Sequence, residues 1–146
     1  MSMEGWKPKM VEDLEWFQLD RYPEVKFTVL SGSFGSREVV TMRVKLPPNY
    51  QLAPHTHTDA RQLTVIEGTY SLGMGEKFDL ESAVQLTAGS FMVVPANRAH
   101  FDAAGPDGAT IQVTAMGDAS THFLDSSQEP RALQSRGVLG IEGSRL

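Results

Sequence analysis

The chain has 146 residues, of which 40% are hydrophobic and 21% charged, a composition typical of one folded domain with its own core. It carries 13 basic and 18 acidic residues and no basic run, which argues against binding to nucleic acid or to an anionic membrane surface. The absence of cysteine excludes disulfides, thiolate metal sites and a cysteine nucleophile.

The N-terminal sequence MSMEGWKPKM has no apolar stretch of the kind found in signal peptides. No apolar run in the chain approaches the roughly 20 residues needed to span a membrane. We therefore expect a cytoplasmic protein that does not associate with membranes. Residues 1–24 are mixed in character, and we expect them to form an N-terminal arm.

Residues 25–125 contain short segments rich in β-branched residues and bounded by Gly, Pro, Asn or Asp. They are KFTVLSGS, REVVTMRVKL, QLTVIEGTYSLGMG, VQLTAGSFMVVPA and ATIQVTAMG. Short strands at this spacing predict an all-β sandwich or barrel. The insert EKFDLESA could hold one helical turn. Residues 126–146 are polar and Gly-rich, and we expect a C-terminal tail that is loosely ordered or packed on a neighbouring subunit.

Two of the four histidines, His55 and His57, stand two residues apart in the segment PHTHTDARQ. Side chains two apart on a strand point to the same side, so both imidazoles can reach one point. Neutral ring nitrogens held together on a rigid element suit a divalent metal ion. His100 follows the segment FMVVP and a turn, and a hairpin or barrel could bring it opposite the pair. The alternative is a pair of surface histidines that bind nothing.

The flanking residues resemble the two sequence motifs of the cupin superfamily, in the right order, over residues 25–125. The first motif is matched by Asn49, His55-Thr56-His57 and Gly68, and the second by Gly89, Pro95-Ala96-Asn97 and His100. Asn49 and Asn97 stand where the family prefers Gly, and Asn tolerates the left-handed backbone that Gly serves.

This resemblance implies a cupin double-stranded β-helix, which is a jelly-roll barrel. It also implies one divalent metal ion (Fe, Mn, Ni or Zn) held by His55, His57 and His100. The barrel mouth would then contain a pocket for a small anionic molecule. Because most cupins pair through the edges of their sheets, the resemblance also implies a homodimer.

The glutamate of the first cupin motif has no counterpart in this chain. Its place is taken by Arg61, or by Gln62 if one more residue is counted. Strand parity puts Arg61 on the inward face with Leu63 and Val65, but Arg cannot ligate a metal ion. The amide oxygen of Gln62 can ligate, if a one-residue bulge turns it inward. Asp59 is a third candidate, if its loop folds back.

Two arrangements of the site therefore stay open. Either Gln62 is the fourth protein ligand, or water completes the shell and Arg61 lies beside the metal ion. An inward Arg61 would be the candidate catalytic residue, because a guanidinium binds a carboxylate in a bidentate way. Otherwise Arg61 reaches the rim and pairs with Asp59 or Glu67. We expect His122 at the surface or the mouth.

Taken with the resemblance, an open metal position implies an enzyme, an oxygenase or a lyase or isomerase acting on a small organic acid or carbonyl compound. The alternative is a non-catalytic small-molecule-binding or sensor cupin, like the metal-binding domains of some anti-sigma factors. A structural barrel with a decayed site is the third interpretation.

Overall fold

The computed structural model describes residue 2 and residues 4–133, so most of the predicted C-terminal tail lies outside the described residues. The described chain is nearly all β. Its strands are β1 (Phe17–Leu19), β2 (Tyr22–Ser31), β3 (Val39–Leu46), β4 (Gln51–His57), β5 (Arg61–Met74), β6 (Val84–Thr87), β7 (Phe91–Val94), β8 (His100–Met116) and β9 (Thr121–Phe123).

The helical content of the described residues is small. There are 3-10 turns at Val11–Asp13, Leu80–Ser82 and Ser126–Gln128, and one short helix, α1, at Pro130–Leu133. The turn at Leu80–Ser82 confirms the helical turn predicted in the insert EKFDLESA. No helix in the described part of the chain is long and apolar enough to cross a membrane.

The two long strands, β5 and β8, run antiparallel to each other through both halves of a curled sheet. In one half, the start of β5 and the end of β8 join β7, β3, β2 and β1. In the other half, the end of β5 and the start of β8 join β6, β4 and β9. This arrangement is the predicted all-β jelly roll.

The curl depends on a close approach between β5 and β8 where their pairing shifts register, around Gly68. Gly68 has a φ of 74°, and a Cβ at this position would collide with the backbone oxygen of Gly108. Only glycine allows both the left-handed conformation and this contact. The bend lets the sheet fold over its own apolar face.

The core lies between the two halves of the sheet. Alternation along β3 shows how it forms, because Val40, Met42, Val44 and Leu46 are buried while the residues between them are more exposed. Within the predicted arm of residues 1–24, β1 pairs with β2, which itself begins at Tyr22.

Candidate metal centre

Three histidines meet on one wall of the barrel interior. His55 and His57 lie on β4, and His100 begins β8, where it stands directly opposite His55 in the antiparallel pairing. One ring nitrogen from each lies within 4.8 Å of the others, and the His55 and His100 ring centroids are 4.3 Å apart. The three imidazoles are therefore positioned to bind one metal ion.

Each of the three rings is held through its Nδ1 atom. The Nδ1 of His55 donates to the carbonyl oxygen of Ala53 at 2.7 Å, and that of His100 donates to the carbonyl oxygen of Arg98 at 3.0 Å. Because a carbonyl can only accept, Nδ1 carries a proton in both rings, and the neutral form of each ring then has its lone pair on Nε2.

The third ring, that of His57, is held from another strand. Its Nδ1 lies 2.8 Å from the hydroxyl oxygen of Thr121 on β9, which is the residue paired with His57 in the sheet. Partners of this kind fix the orientation of metal-binding imidazoles. Three oriented nitrogen donors fit a divalent ion of the first transition series.

The electrostatics of the cluster favour neutral imidazoles, the form that binds a metal ion. Burial lowers the pKa of His55. Burial also lowers the pKa of His57, and the nearby guanidinium of Arg61 lowers it further. Both rings therefore stay uncharged at neutral pH.

Arg61 faces the cavity and Gln62 faces outward. The pairing of β5 with β7 runs without a shift from Arg61 opposite Val94 to Leu63 opposite Met92, so there is no bulge to turn Gln62 inward. Gln62 is exposed, and it is not among the residues that line the cavity, whereas Arg61 and the three histidines are.

Asp59 forms an ion pair with Arg61 rather than approaching the histidines. Its Oδ1 accepts from Nε of Arg61 at 3.0 Å, and its Oδ2 accepts from the backbone N–H of Met116 at 2.8 Å. The pairing of Arg61 with Asp59 therefore forms, but with an inward Arg61 and not with one at the rim. The Arg61 side chain is only 18% exposed and lines the cavity.

Two buried polar residues of the site were missed in the sequence. Asp102 lies on β8 two residues after His100, and its Oδ2 accepts a hydrogen bond from the hydroxyl of Tyr70 on β5. Its Oδ1 is 3.7 Å from Nε2 of His55. Strand parity could have found Asp102, because a residue two after His100 shares its face.

Tyr70 keeps its proton in this pair. Its side chain is fully buried, and burial raises the pKa of its hydroxyl. The negative charge of Asp102 and the hydrogen bond to it raise that pKa further. The hydroxyl of Tyr70 is therefore the donor to Asp102.

The histidines open into a cavity of about 240 Å³ inside the barrel. Most of its walls are aliphatic or aromatic, and its polar groups include the three histidines, Arg61 and Asp102. Thr121 also lines the cavity, whereas His122 is exposed, as predicted. The arrangement offers a metal ion on one wall and space for a small molecule beside it.

Comparison with known families agrees with this geometry. The family described as the ChrR cupin-like domain matches residues 9–119, most of the chain. The chain belongs to this family. No curated protein matches the sequence.

Solved cupin structures share the fold at low sequence identity. The polyketide cyclase RemF from Streptomyces resistomycificus is 19% identical, with a TM-score of 0.67, over 85% of this chain and 89% of that one. KdgF from a Halomonas species is 18% identical, with a TM-score of 0.55, over 72% and 90% of the two chains.

A third solved structure is the complex of SigE with the anti-sigma factor ChrR from Rhodobacter sphaeroides. The likeness to it has a TM-score of 0.56 at 17% identity, over 73% of this chain and 52% of that one. Identities this low establish the shared cupin fold and nothing about activity.

Proposed function

We propose that this cupin is a metal-dependent enzyme that acts on a small organic acid or carbonyl compound. The proposal is carried by three imidazoles that converge, each held by its Nδ1, beside a cavity of about 240 Å³. A divalent ion with three protein ligands keeps a position for water or substrate. When bound, it supplies Lewis-acid polarisation of an oxygen or a site for O2.

Arg61 is the residue proposed to anchor the acidic group of the substrate. Its Nε is paired with Asp59, and among the described residues no hydrogen bond occupies its terminal nitrogens. Those nitrogens can donate to a carboxylate in the cavity. The three neutral imidazoles also leave the charge of a divalent ion uncompensated, which favours an anionic ligand beside it.

The rest of the cavity limits the size of the substrate. Drug-sized ligands occupy pockets of about 300–1,000 Å³, and this cavity is smaller. Apolar residues such as Leu63, Ile111 and Val113 also line the cavity and limit the water around a bound molecule. The substrate is therefore a compact molecule with one acidic end.

An oxygenase and a lyase or isomerase both fit this site, and oxygen dependence separates them. The second candidate function is that of a non-catalytic sensor. It is favoured by the family match, because the family is described by the name ChrR, and ChrR in the solved complex is an anti-sigma factor. A sensor would bind the same kind of ligand and release it unchanged.

The test is a panel of carboxylic acids and dicarbonyl compounds added to metal-loaded and metal-free protein. We expect thermal stabilisation only when both metal and acid are present, since a ligand that binds the native state raises its stability. Arg61→Lys keeps the charge but loses the planar fork, and should weaken acid binding roughly 10-fold or more while metal content stays unchanged.

Turnover is then measured with and without oxygen for each acid that binds. Oxygen uptake supports an oxygenase, and product formed without oxygen supports a lyase or isomerase. Binding without any product favours the sensor. If no acid prefers the metal-loaded form, the proposed function is wrong.

The assembly and the compartment also belong to the proposal. We expect a homodimer, and exposed apolar side chains such as Phe91 and Val93 on the outer face of β7 are consistent with a covered surface. Light scattering should give twice the 16.0 kDa of one chain, and a mass near 16.0 kDa would contradict the dimer. The cytoplasm is the proposed compartment.

A further inference from the structure

We propose that Asp102 supplies the carboxylate of this metal centre, with Oδ1 directed to the ion from the side of His55 and Tyr70 holding Oδ2. The inference rests on the metal site proposed above and not on the reaction. No residue of the first cupin motif supplies this charge here, because Arg61 stands in the place of the glutamate.

The first observation is an unused oxygen. Asp102 is only 6% exposed, and its Oδ1 is buried without a hydrogen-bond partner among the described residues. A buried carboxylate oxygen without a partner is costly, because it has given up its contacts with water. Arg61 is bonded to Asp59 through Nε, and among the described residues none of its nitrogens donates a hydrogen bond to this oxygen.

The second observation is the position of this oxygen beside the donor atoms of the histidines. Oδ1 of Asp102 lies 3.7 Å from Nε2 of His55, the nitrogen that is left free by the bond from Nδ1 to Ala53. Zinc–nitrogen bonds are about 2.0–2.1 Å and zinc–oxygen bonds about 2.0–2.2 Å, so two donors on one ion can be up to about 4.2 Å apart. Asp102 is not in the group of donors that all lie within 4.8 Å of one another, so its Oδ1 approaches from the His55 side and has to turn towards the ion to bind it.

The charges of the two partners are complementary. Three neutral imidazoles leave a divalent ion with its full charge in a mostly apolar cavity, and Asp102 has an anionic oxygen without a partner. One ion beside His55 gives this oxygen a partner, and Asp102 offsets one of the two charges of the ion. The remaining positive charge still favours an anionic ligand, which binds at a further position of a five- or six-coordinate ion. Tyr70 then fixes the carboxylate, as hydrogen-bonded partners commonly do for metal-binding carboxylates.

The competing explanation is that Asp102 only anchors Tyr70 in the core. The two roles predict opposite changes in the metal-free protein. If Asp102 is structural, replacing it lowers the melting temperature of the metal-free protein. If it serves the metal ion, removing a buried charge leaves that temperature unchanged or raises it, while metal affinity falls.

The experiment compares Asp102→Asn with the double variant Asp102→Leu/Tyr70→Phe, which removes both polar partners together. Asp107→Asn is the matched control, because Asp107 is exposed on the same strand. Zinc and manganese dissociation constants are measured by competition with a chelator, and melting temperatures are recorded with and without metal. We expect both Asp102 variants to bind metal about 10- to 100-fold more weakly than wild type and control.

Several results would overturn the inference. One is wild-type affinity in Asp102→Asn, and another is a fall in the metal-free melting temperature with affinity unchanged. A third is weak binding by Asp102→Asn with normal binding by the double variant, because the new amide would then simply block His55. A wild-type protein without metal affinity overturns the centre as well, whereas a lack of turnover overturns only the proposed reaction.

Discussion

Two regions of the cavity handle charge in opposite ways. The histidine wall, formed by His55, His57 and His100, presents three ring nitrogens to one point, and burial favours the uncharged form of His55 and His57. The Arg61–Asp59 pair, at the start of β5, is already neutral, and both oxygens of Asp59 have donors. The first region needs a cation for its lone pairs, whereas the second is complete without one.

This difference suggests a division of roles within the site. Ring nitrogens that converge on one point are suited to binding a metal ion, while an ion pair whose carboxylate oxygens both have donors is suited to fixing the position of Arg61. Arg61 links the two regions, because its Nε is bonded to Asp59 and its side chain lines the cavity beside the histidines. The two regions should therefore respond differently to substitution.

The largest effect is expected from His57→Ala in the histidine wall. Loss of a residue that only hydrogen-bonds a metal ligand reduces metal affinity roughly 10- to 100-fold. Loss of the ligand itself should reduce it by more. Elemental analysis of untagged protein and chelator competition measure this directly. The control is His122→Ala, since His122 is exposed on the neighbouring strand. Full metal content in His57→Ala would show that the wall does not hold the ion.

A different response is expected from Asp59→Asn in the Arg61–Asp59 pair. The change removes the charge opposite Arg61 and sets the amide NH2 group against one of two donors, either Nε–H of Arg61 or the backbone N–H of Met116. About 1–3 kcal/mol of the free energy of unfolding should therefore be lost. The protein should still bind one metal ion per chain.

Urea unfolding of Asp59→Asn and of Asp118→Asn, an exposed control, measures this loss. If Asp59→Asn is as stable as wild type but loses its metal ion, the roles assigned to the two regions are wrong.

The histidine wall could be predicted from the sequence because its geometry is local. Strand parity put His55 and His57 on one face, and the motif spacing put His100 opposite them. The left-handed backbone expected at Asn49 and Asn97 is confirmed by φ values of 61° and 59°. The alternation of side chains along the strand also predicted that Arg61 points into the barrel, and Arg61 does line the cavity.

The partners of these residues were harder to predict because they depend on distant pairing. Thr121 meets His57 only because β9 pairs with β4, 64 residues along the chain. Tyr70 contacts Asp102 only because β5 pairs with β8 in the sheet, which brings together residues that are far apart in the sequence. No local pattern encodes such contacts, whereas the place of Asp102 on the His100 face was available from parity.

The smallest effect is expected from Thr121→Val, which keeps the shape of the side chain and removes the hydroxyl that lies 2.8 Å from Nδ1 of His57. The His57 ring could then change tautomer or turn, while the rings of His55 and His100 stay fixed by backbone carbonyls. Metal affinity should fall about 10-fold, which is the lower end of the range expected when a residue that hydrogen-bonds a metal ligand is removed. Chelator competition measures it against Thr56→Val, a control on β4 between the two histidines. An equal loss in the control would indicate a general effect of lost hydroxyls, and no loss in Thr121→Val would mean that the sheet alone orients His57.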